Sequence, residues 1–184
     1  MPAREKTTHE AIVAAGRELA ERHGIGGLTM QAVAERVGVR APSLYKRVRN
    51  RDELVDLVVG ATIDDLTEAL RDATDGIDDP REQLRSLGNA LRVFGQGRPK
   101  SYELIFGLAR EASDSTREAR ERAVAPLLSA CAALVGAEQA LDAARLVTAW
   151  ANGFISMELT GSFQMGGDVD RAWAWALERI VGAL

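Results

Sequence analysis

Four cationic side chains fall within six residues of a 184-residue chain whose formal net charge is −4. They are Lys46, Arg47, Arg49 and Arg51. Residues 1–51 hold ten Lys and Arg against five Asp and Glu, whereas residues 52–184 hold thirteen against twenty-two. Clustered cations bind phosphates, and a basic segment in an acidic chain indicates that only this segment meets a polyanion.

The cations follow a pattern that is typical of two short helices joined by a tight turn. Ala34 and Gly38 are small where the two backbones would approach, and Gly38 permits the positive φ with which a chain leaves a helix. Leu44 supplies an apolar residue that holds the second helix against the first. Pro42 lies in the first turn of that second helix, where proline is favoured. The spacing therefore predicts a helix-turn-helix.

The second helix of the turn, APSLYKRV, has Leu44 and Val48 as its inward pair and presents an outward polar face. A recognition helix reads base edges in the major groove, while flanking cations hold phosphates. Ser43 can approach a base edge, Arg47 can make a bidentate contact to guanine, and Tyr45 can bond a phosphate or touch a thymine methyl. The predicted DNA-binding residues are Thr29, Arg40, Ala41, Pro42, Ser43, Tyr45, Lys46, Arg47, Arg49 and Arg51. A solvated charged face is the alternative, and the turn beneath the cations favours DNA contact.

Thr29 and Arg51 are included because each stands at the start of a predicted helix. A helix N-terminus with an added donor suits a phosphate. Asn50-x-x-Glu53 is a capping box for the helix that Arg51 begins, and Thr7-x-x-Glu10 is a similar box for the first helix. Both boxes place helix starts in the basic segment.

Residues 7–54 resemble the DNA-binding domain of the TetR family of bacterial transcriptional regulators. The likeness lies in Gly-x-x-x-Leu-Thr from Gly24, Ala-x-x-x-Gly-Val from Ala34, and Ser-Leu-Tyr from Ser43. The family pattern Tyr-x-His-Phe-x-x-Lys is altered here to Arg47, Val48 and Arg51, which keeps the charge and changes the expected base preference. The segment WANGFISMELTGSF (150–163) is loosely similar to the family branch with a Trp/His-Gly signature, with Asn152 in place of the His.

The periodicity of apolar residues predicts an all-α protein, with three or four short helices followed by five longer ones. The longer helices after the fourth are expected at about 80–97, 100–111, 116–135, 138–160 and 168–183. The resemblance implies a three-helix DNA-binding domain over residues 1–51 and a helical ligand-binding and dimerisation bundle over residues 52–184. The acidic stretch 72–83 is predicted to be a solvated loop, because its Asp spacing does not fit a calcium-binding hand.

Several aromatic residues of the acidic part could line a cavity between helices. Trp150, Phe154 and Met157 lie on one helical face, where core packing is the more common role. The tentative ligand-binding residues are Phe94, Tyr102, Phe106, Trp150, Phe154 and Met157, with Phe163 and Met165 as further candidates. Glu158 is predicted to be an exposed surface charge, with a polar anchor in a pocket or interface as the alternative. Of Trp173 and Trp175, one should be buried and the other should lie near an interface.

The residue inventory argues against catalysis and against metal or cofactor binding. One Cys and two His leave few ligands or nucleophiles, and no catalytic motif occurs. Cys131, in an apolar stretch, is predicted to be a buried structural thiol. We expect no cofactor, no signal peptide, no membrane span and a cytoplasmic location.

The resemblance, taken with these patterns, implies a homodimeric repressor that binds a palindromic DNA operator and releases it when a small apolar effector enters the acidic part. The last two helices are the expected dimer interface, and two-fold symmetry would space the half-sites by about 34–36 Å. An activator or a DNA-binding module without a ligand is one alternative. A helical small-molecule carrier or protein-interaction bundle, whose basic segment is incidental, is the other.

Overall fold

The computed structural model describes residues 8–107 and 113–184, and these form nine α-helices and no strand. The all-α prediction is therefore confirmed. The helices are α1 His9–Gly27, α2 Met30–Val37, α3 Ala41–Leu44, α4 Arg51–Thr74, α5 Pro80–Gly97, α6 Pro99–Phe106, α7 Asp114–Val135, α8 Ala140–Leu159 and α9 Val169–Ala183. The end of the helix predicted at about 100–111 lies outside the described residues. No described helix is both long enough and apolar enough to cross a membrane.

Side-chain caps fix the starts of the first helices. The Thr8 hydroxyl accepts a hydrogen bond from the Ala11 N–H at 3.1 Å and caps α1. The predicted capping residue Thr7 lies outside the described residues. The predicted box at α4 is present in part, because the Glu53 N–H donates to Asn50 Oδ1 at 2.9 Å. The Glu53 carboxylate, however, accepts from the Arg49 N–H at 2.6 Å rather than from Asn50.

The turn between α2 and α3 has the predicted form. Gly38 adopts the left-handed conformation, with φ of 75° and ψ of 34°, and its N–H donates to the Ala34 and Glu35 carbonyls. Leu44 and Val48 are fully buried, so both predicted inward residues reach the core. Helix α3 is only four residues long, shorter than the eight residues of the predicted recognition helix. Tyr45, Lys46 and Arg47 follow it in a hydrogen-bonded turn instead.

Gly16 lies where α1 packs tightly against α4. A Cβ atom built on Gly16 would lie 2.6 Å from the Val58 Cγ2 atom, so no larger side chain fits without displacement. The buried residues of this core come from α1, α2 and α4 and from the segments between them: Ile12, Leu28, Val33, Leu54, Val55 and Val58. This packing holds the helix-turn-helix on a fixed support.

The described residues divide into two compact units. One unit comprises those within Met1–Asp65 and Arg98–Arg120, and the other comprises Leu66–Gly97 and Glu121–Leu184. We call them the head and the body. The head includes α6, which packs against α1, and therefore it extends beyond the predicted boundary after residue 51. Helices α4 and α7 each contribute residues to both units. A functional division after residue 51 stays a prediction.

Candidate functional site

The predicted DNA-contacting side chains form an exposed face around α3. Ser43, Lys46 and Arg47 are exposed, and Tyr45 keeps 53% of its surface accessible. Pro42 and Arg40 are exposed as well, while Ala41 is half-buried. Leu44, among these residues, and Val48, directly after them, are buried, so the apolar side of the segment packs inward and the polar side turns to solvent.

Thr29 begins α2 at the edge of this face. Its hydroxyl oxygen accepts a hydrogen bond from the Ala32 N–H at 3.1 Å and so serves as the helix cap. The side chain is nevertheless exposed, and its O–H hydrogen can still be donated. The predicted phosphate contact at Thr29 is compatible with this capping role.

Arg49 is engaged within the chain. Its Nε donates to Glu53 Oε2 at 3.2 Å, and its backbone N–H donates to the same oxygen at 2.6 Å. These bonds, the backbone bond first, lower the pKa of the Glu53 carboxyl. The Arg49 side chain is 84% exposed, so this surface pair adds little stability. Its guanidinium remains accessible to a phosphate.

Arg51 binds carbonyl oxygens at the far end of α1, a role that the sequence did not indicate. Its Nε donates to the Leu28 carbonyl at 2.8 Å, and its Nη2 donates to the Ile25 carbonyl at 2.6 Å. Helix α1 has no basic residue in its own last turn, and Arg51 supplies that charge from α4. The backbone leaves the helical conformation at Gly24, with φ of 64°, so these carbonyls belong to the segment after that break and Arg51 satisfies them directly by hydrogen bonding.

Further ion pairs connect the helices of the head. Arg36 of α2 pairs with Glu18 of α1 at 2.5 Å. Asp65 of α4 accepts hydrogen bonds from both Arg17 of α1 and Arg98, the residue that precedes α6. The bonds to Asp65 connect α4 to α1 and to the start of α6.

Helix α6 is capped by a side chain from α1. Arg98 stands at its N-cap position without a capping side-chain bond. The Glu21 carboxylate accepts instead from the Ser101 N–H at 2.9 Å, from the Ser101 hydroxyl at 2.5 Å and from the Lys100 N–H at 3.3 Å. An anion at a helix N-terminus satisfies its unpaired N–H groups and matches its dipole.

The body contains a cluster of aromatic rings around Trp173. The Trp150 ring stacks on it at 4.7 Å between centroids, and Phe154 meets its edge at 5.2 Å. Phe163 packs on Phe154 at 4.8 Å. The Trp173 indole N–H donates to Asn89 Oδ1 at 2.8 Å, so the one polar atom of this buried ring is satisfied. This arrangement supports core packing for Trp150 and Phe154.

Glu158 is not an exposed surface charge, and that prediction was wrong. Its carboxylate accepts two hydrogen bonds from Arg92, at 2.8 and 2.6 Å, and one from Gln96 at 2.9 Å. Arg92 is 8% exposed, also donates to Asp170 at 2.6 Å, and lies 5.3 Å from the Trp173 ring centroid. The Arg92 bond lowers the pKa of Glu158 and the Glu158 bond raises the pKa of Arg92. The partner lies 66 residues away, beyond the reach of local spacing.

The tentative ligand-binding residues are divided between the two units. Tyr102 and Phe106 belong to the head, with ring centroids 4.7 Å apart, and burial raises the pKa of Tyr102. Phe94, Trp150, Phe154 and Met157 belong to the body. Phe154 lines an open cleft of about 580 Å³ with Phe163 and Trp175, whereas Met157 is 45% exposed. A shared ligand site stays a prediction.

Three other predictions concern buried or absent groups. Trp173 is 2% exposed and Trp175 is 62% exposed, which confirms that one of the two is buried. Cys131 is buried, as predicted, and burial raises its pKa. Residues 8–107 and 113–184 contain no cluster of three or more His, Cys, Asp or Glu that could hold a metal ion.

The sequence also matches two models of known protein families. The model described as "Bacterial regulatory proteins, tetR family" matches residues 12–58, which include α2, α3 and the exposed face. The model described as "Tetracyclin repressor-like, C-terminal domain" matches residues 84–180, more than half of the chain. The chain belongs to the TetR family. The predicted resemblance is thus confirmed, and the helix-turn-helix of this TetR-family protein lies where its motifs indicated.

Individual relatives agree with the family assignment. An HTH-type transcriptional regulator of Mycobacterium bovis is 29% identical over 98 residues, which are 52% of this chain and 42% of the relative. The chain thus spans less than half the length of that relative. A regulator of Mycobacterium tuberculosis with the same HTH-type description is 28% identical over 159 residues, 85% of this chain and 72% of the relative. The fold is similar to a single-substitution variant of TetR from Acinetobacter baumannii AYE, solved in complex with minocycline, with a TM-score of 0.71, 20% identity and coverage of 96% of both chains.

Proposed function

We propose that this TetR-family chain is a DNA-binding transcriptional regulator that represses by binding a palindromic operator as a homodimer. The observation that carries the proposal is the exposed polar face on α3 and the following turn, above the buried pair Leu44 and Val48. Family membership supplies the function class. No catalytic step is part of this function. A bacterial regulator of this kind acts in the cytoplasm, where the chromosome lies.

The exposed residues divide by what they can contact. Ser43 and Arg47 are the candidates for base edges, and Tyr45 and Lys46 lie beside them for a base methyl or a phosphate. Flanking backbone and phosphate contacts come from Thr29, Arg40, Ala41, Pro42 and Arg49. Arg51, which sequence spacing also predicted as a contact, instead binds the carbonyls of Leu28 and Ile25. Residues 1–51 carry this function, and residues 52–184 carry effector binding and dimerisation.

We assign the dimer interface to α8 and α9. Helix α8 has an exposed stripe of small and apolar residues at helical spacing, Leu146, Ala149, Gly153 and Met157. Helix α9 exposes Trp175 to 62%, and α8 exposes Leu141 to 48%. Apolar surface of this kind on two neighbouring helices suits an isologous contact between two copies.

The effector is inferred to be a small apolar molecule. The Acinetobacter baumannii TetR variant, which has a similar fold, was solved in complex with minocycline, and this supports the proposal that the present chain also binds a small molecule. Here the candidate contacts are Phe94, Tyr102, Phe106, Trp150, Phe154 and Met157. Genes next to the recovered operator will indicate which compounds to test for release of the DNA.

The decisive experiment selects bound fragments from sheared DNA of the source genome with purified protein at physiological salt. We expect one palindromic motif, with half-sites about one helical turn apart. Fragments without a common motif would contradict the proposal and favour a carrier or interaction bundle. A reporter gene behind the recovered motif gives the sign of regulation.

Variants connect the motif to the proposed face. Tyr45→Ala with Arg47→Ala should abolish selection of the motif while the protein keeps its oligomeric state. Arg71→Ala, at an exposed position of α4 outside this face, is the matched control and should select the same motif. If the parent protein, the double variant and Arg71→Ala selected the motif equally, the α3 face would not be the surface that recognises the operator.

A further inference from the structure

Arg51 makes a two-pronged contact with the end of α1. The Nε and Nη2 atoms of one guanidinium donate to the carbonyls of Leu28 and Ile25 at 2.8 and 2.6 Å. Leu28 is fully buried and is the C-cap residue of α1. Arg51 is the first residue of α4, so this contact fastens the start of α4 to the end of α1 across 23 residues of sequence.

The contact reaches the start of α2 through one peptide group. The Leu28 carbonyl belongs to the same peptide as the Thr29 N–H, and that peptide is planar, so a bond to its oxygen fixes its orientation. Thr29 in turn caps α2 through the Ala32 N–H at 3.1 Å. The guanidinium thus fixes the segment that carries the exposed Thr29 side chain and the first N–H groups of α2.

The carbonyls of Leu28 and Ile25 also compete with a DNA phosphate for the Arg51 guanidinium. Two of the five guanidinium N–H donors, at Nε and Nη2, are already directed into the protein. A planar fork of this kind suits arginine, whereas a lysine ammonium is a point charge without the fork. The family pattern has lysine at this position, and this chain has the side chain that can bind both carbonyls.

We propose that Arg51 is a positioning residue for DNA recognition, which holds Thr29 and the start of α2 in place for the phosphate backbone and makes no phosphate contact of its own. The proposal rests on the proposed DNA-binding function and changes the role that sequence spacing predicted for Arg51. If Arg51 acts in this way, its removal weakens DNA binding but does not change the number of counterions that are released when the protein binds DNA.

The salt dependence of operator binding separates the two roles. Each phosphate contact contributes about 0.9 to the slope of log affinity against log salt. We expect Arg51→Ala to lower the affinity on the order of tenfold at every salt concentration. The slope of log affinity against log salt should remain that of the parent protein. Lys46→Ala is the comparison variant and should reduce the slope by about 0.9. A slope reduced by about 0.9 in Arg51→Ala would overturn the proposal.

A conservative replacement gives a second test. Arg51→Lys keeps the positive charge and loses the planar fork, so we expect it to keep the parent slope while its affinity stays reduced several-fold. Full recovery of affinity by lysine would identify the charge alone as the active feature and would overturn the positioning role.

Coupling to Thr29 distinguishes positioning from general stabilisation. Thr29→Val removes the hydroxyl and keeps the shape of the side chain. If Arg51 acts through Thr29, the double variant loses less affinity than the product of the two single losses. Losses that simply multiply would show that Arg51 supports folding without positioning Thr29.

A measurement without DNA separates failure of this inference from failure of the proposed function. In the free protein, Arg51→Ala should speed amide hydrogen exchange at Ala32, whose N–H is held by Thr29. If no operator is recovered but exchange at Ala32 rises, the DNA-binding function fails and the positioning of α2 stands. Unchanged exchange at Ala32 would overturn the inference, whatever the DNA-binding experiments show.

Discussion

At the scale of single residues, the partner of each arginine decides its role. Arg49 and Arg51 belong to the same cluster of cations, but Arg49 pairs with a neighbour on α4 and Arg51 binds carbonyls at the end of α1. Arg92 differs from both because it is buried between two carboxylates and a tryptophan ring. A buried charge needs such partners, since an unpaired one would be strongly destabilising.

The Arg92–Glu158 pair makes stability depend on pH. The pKa of Glu158 is lowered from its usual value of 4.5, so its contribution is present above that value and is lost as pH falls through the lower folded pKa. Glu158→Gln should reduce the free energy of unfolding by about 2 kcal/mol at pH 7, and the difference from the parent should shrink below pH 4.5. Urea unfolding across this pH range measures it.

Glu178→Gln is the matched control for this prediction. Glu178 also accepts two hydrogen bonds from one arginine, Arg85, but its side chain is 58% exposed against 18% for Glu158. Water screens the exposed pair, so its loss should change stability much less. Equal losses from both variants would contradict a special role for the buried pair.

The sequence indicated some of these residues and could not indicate others. Leu44 and Gly38 were predictable because the helical repeat and the turn are local, and a few residues of spacing contain the information. The bonds from Arg51 to Leu28 and from Arg92 to Glu158 join residues 23 and 66 positions apart. Such partners depend on how the helices pack, and one sequence without the fold does not reveal that packing.

At the scale of helices, α6 shows how packing regroups the chain. Its N-terminus is capped by Glu21 of α1, and both helices belong to the head. The DNA-binding segment predicted from the sequence ends at residue 51, where its motifs end. The compact unit in the structure is larger, because it also includes the residues that pack against this segment. Tyr102 lies directly after the capped Ser101, so a ligand near Tyr102 would act on a helix that is bonded to α1.

Removing the cap should loosen α6. Glu21→Ala leaves the N–H groups of Lys100 and Ser101 without their acceptor, and we expect the free energy of unfolding to fall by about 1 kcal/mol. Amide exchange at Ser101 should rise at the same time, whereas Glu21→Gln keeps one acceptor oxygen and should lose less. The control is Glu103→Ala, which removes only an exposed pair with Lys100. Unchanged exchange at Ser101 in Glu21→Ala would count against the cap.

At the scale of the whole molecule, the proposed operator geometry requires two copies. One head presents one α3 face, and a palindromic operator presents two related half-sites. The affinity for the full operator therefore depends on how strongly two bodies associate. In the proposed dimer, the exposed stripe on α8 and the exposed Trp175 on α9 would provide the apolar surface for that association.

Leu146→Asp should dissociate the proposed dimer. Leu146 is 54% exposed on the α8 stripe, and an aspartate buried there in the dimer would cost about 3 kcal/mol, on the order of a hundredfold in the dissociation constant. Val93→Asp is the control, since Val93 is 66% exposed on α5, outside the proposed interface. Sedimentation velocity should give a monomer for Leu146→Asp and a dimer for Val93→Asp, and only the first should lose affinity for the full operator. If Leu146→Asp remained a dimer, the interface would not include this stripe, because an ionised side chain cannot stay buried there unpaired.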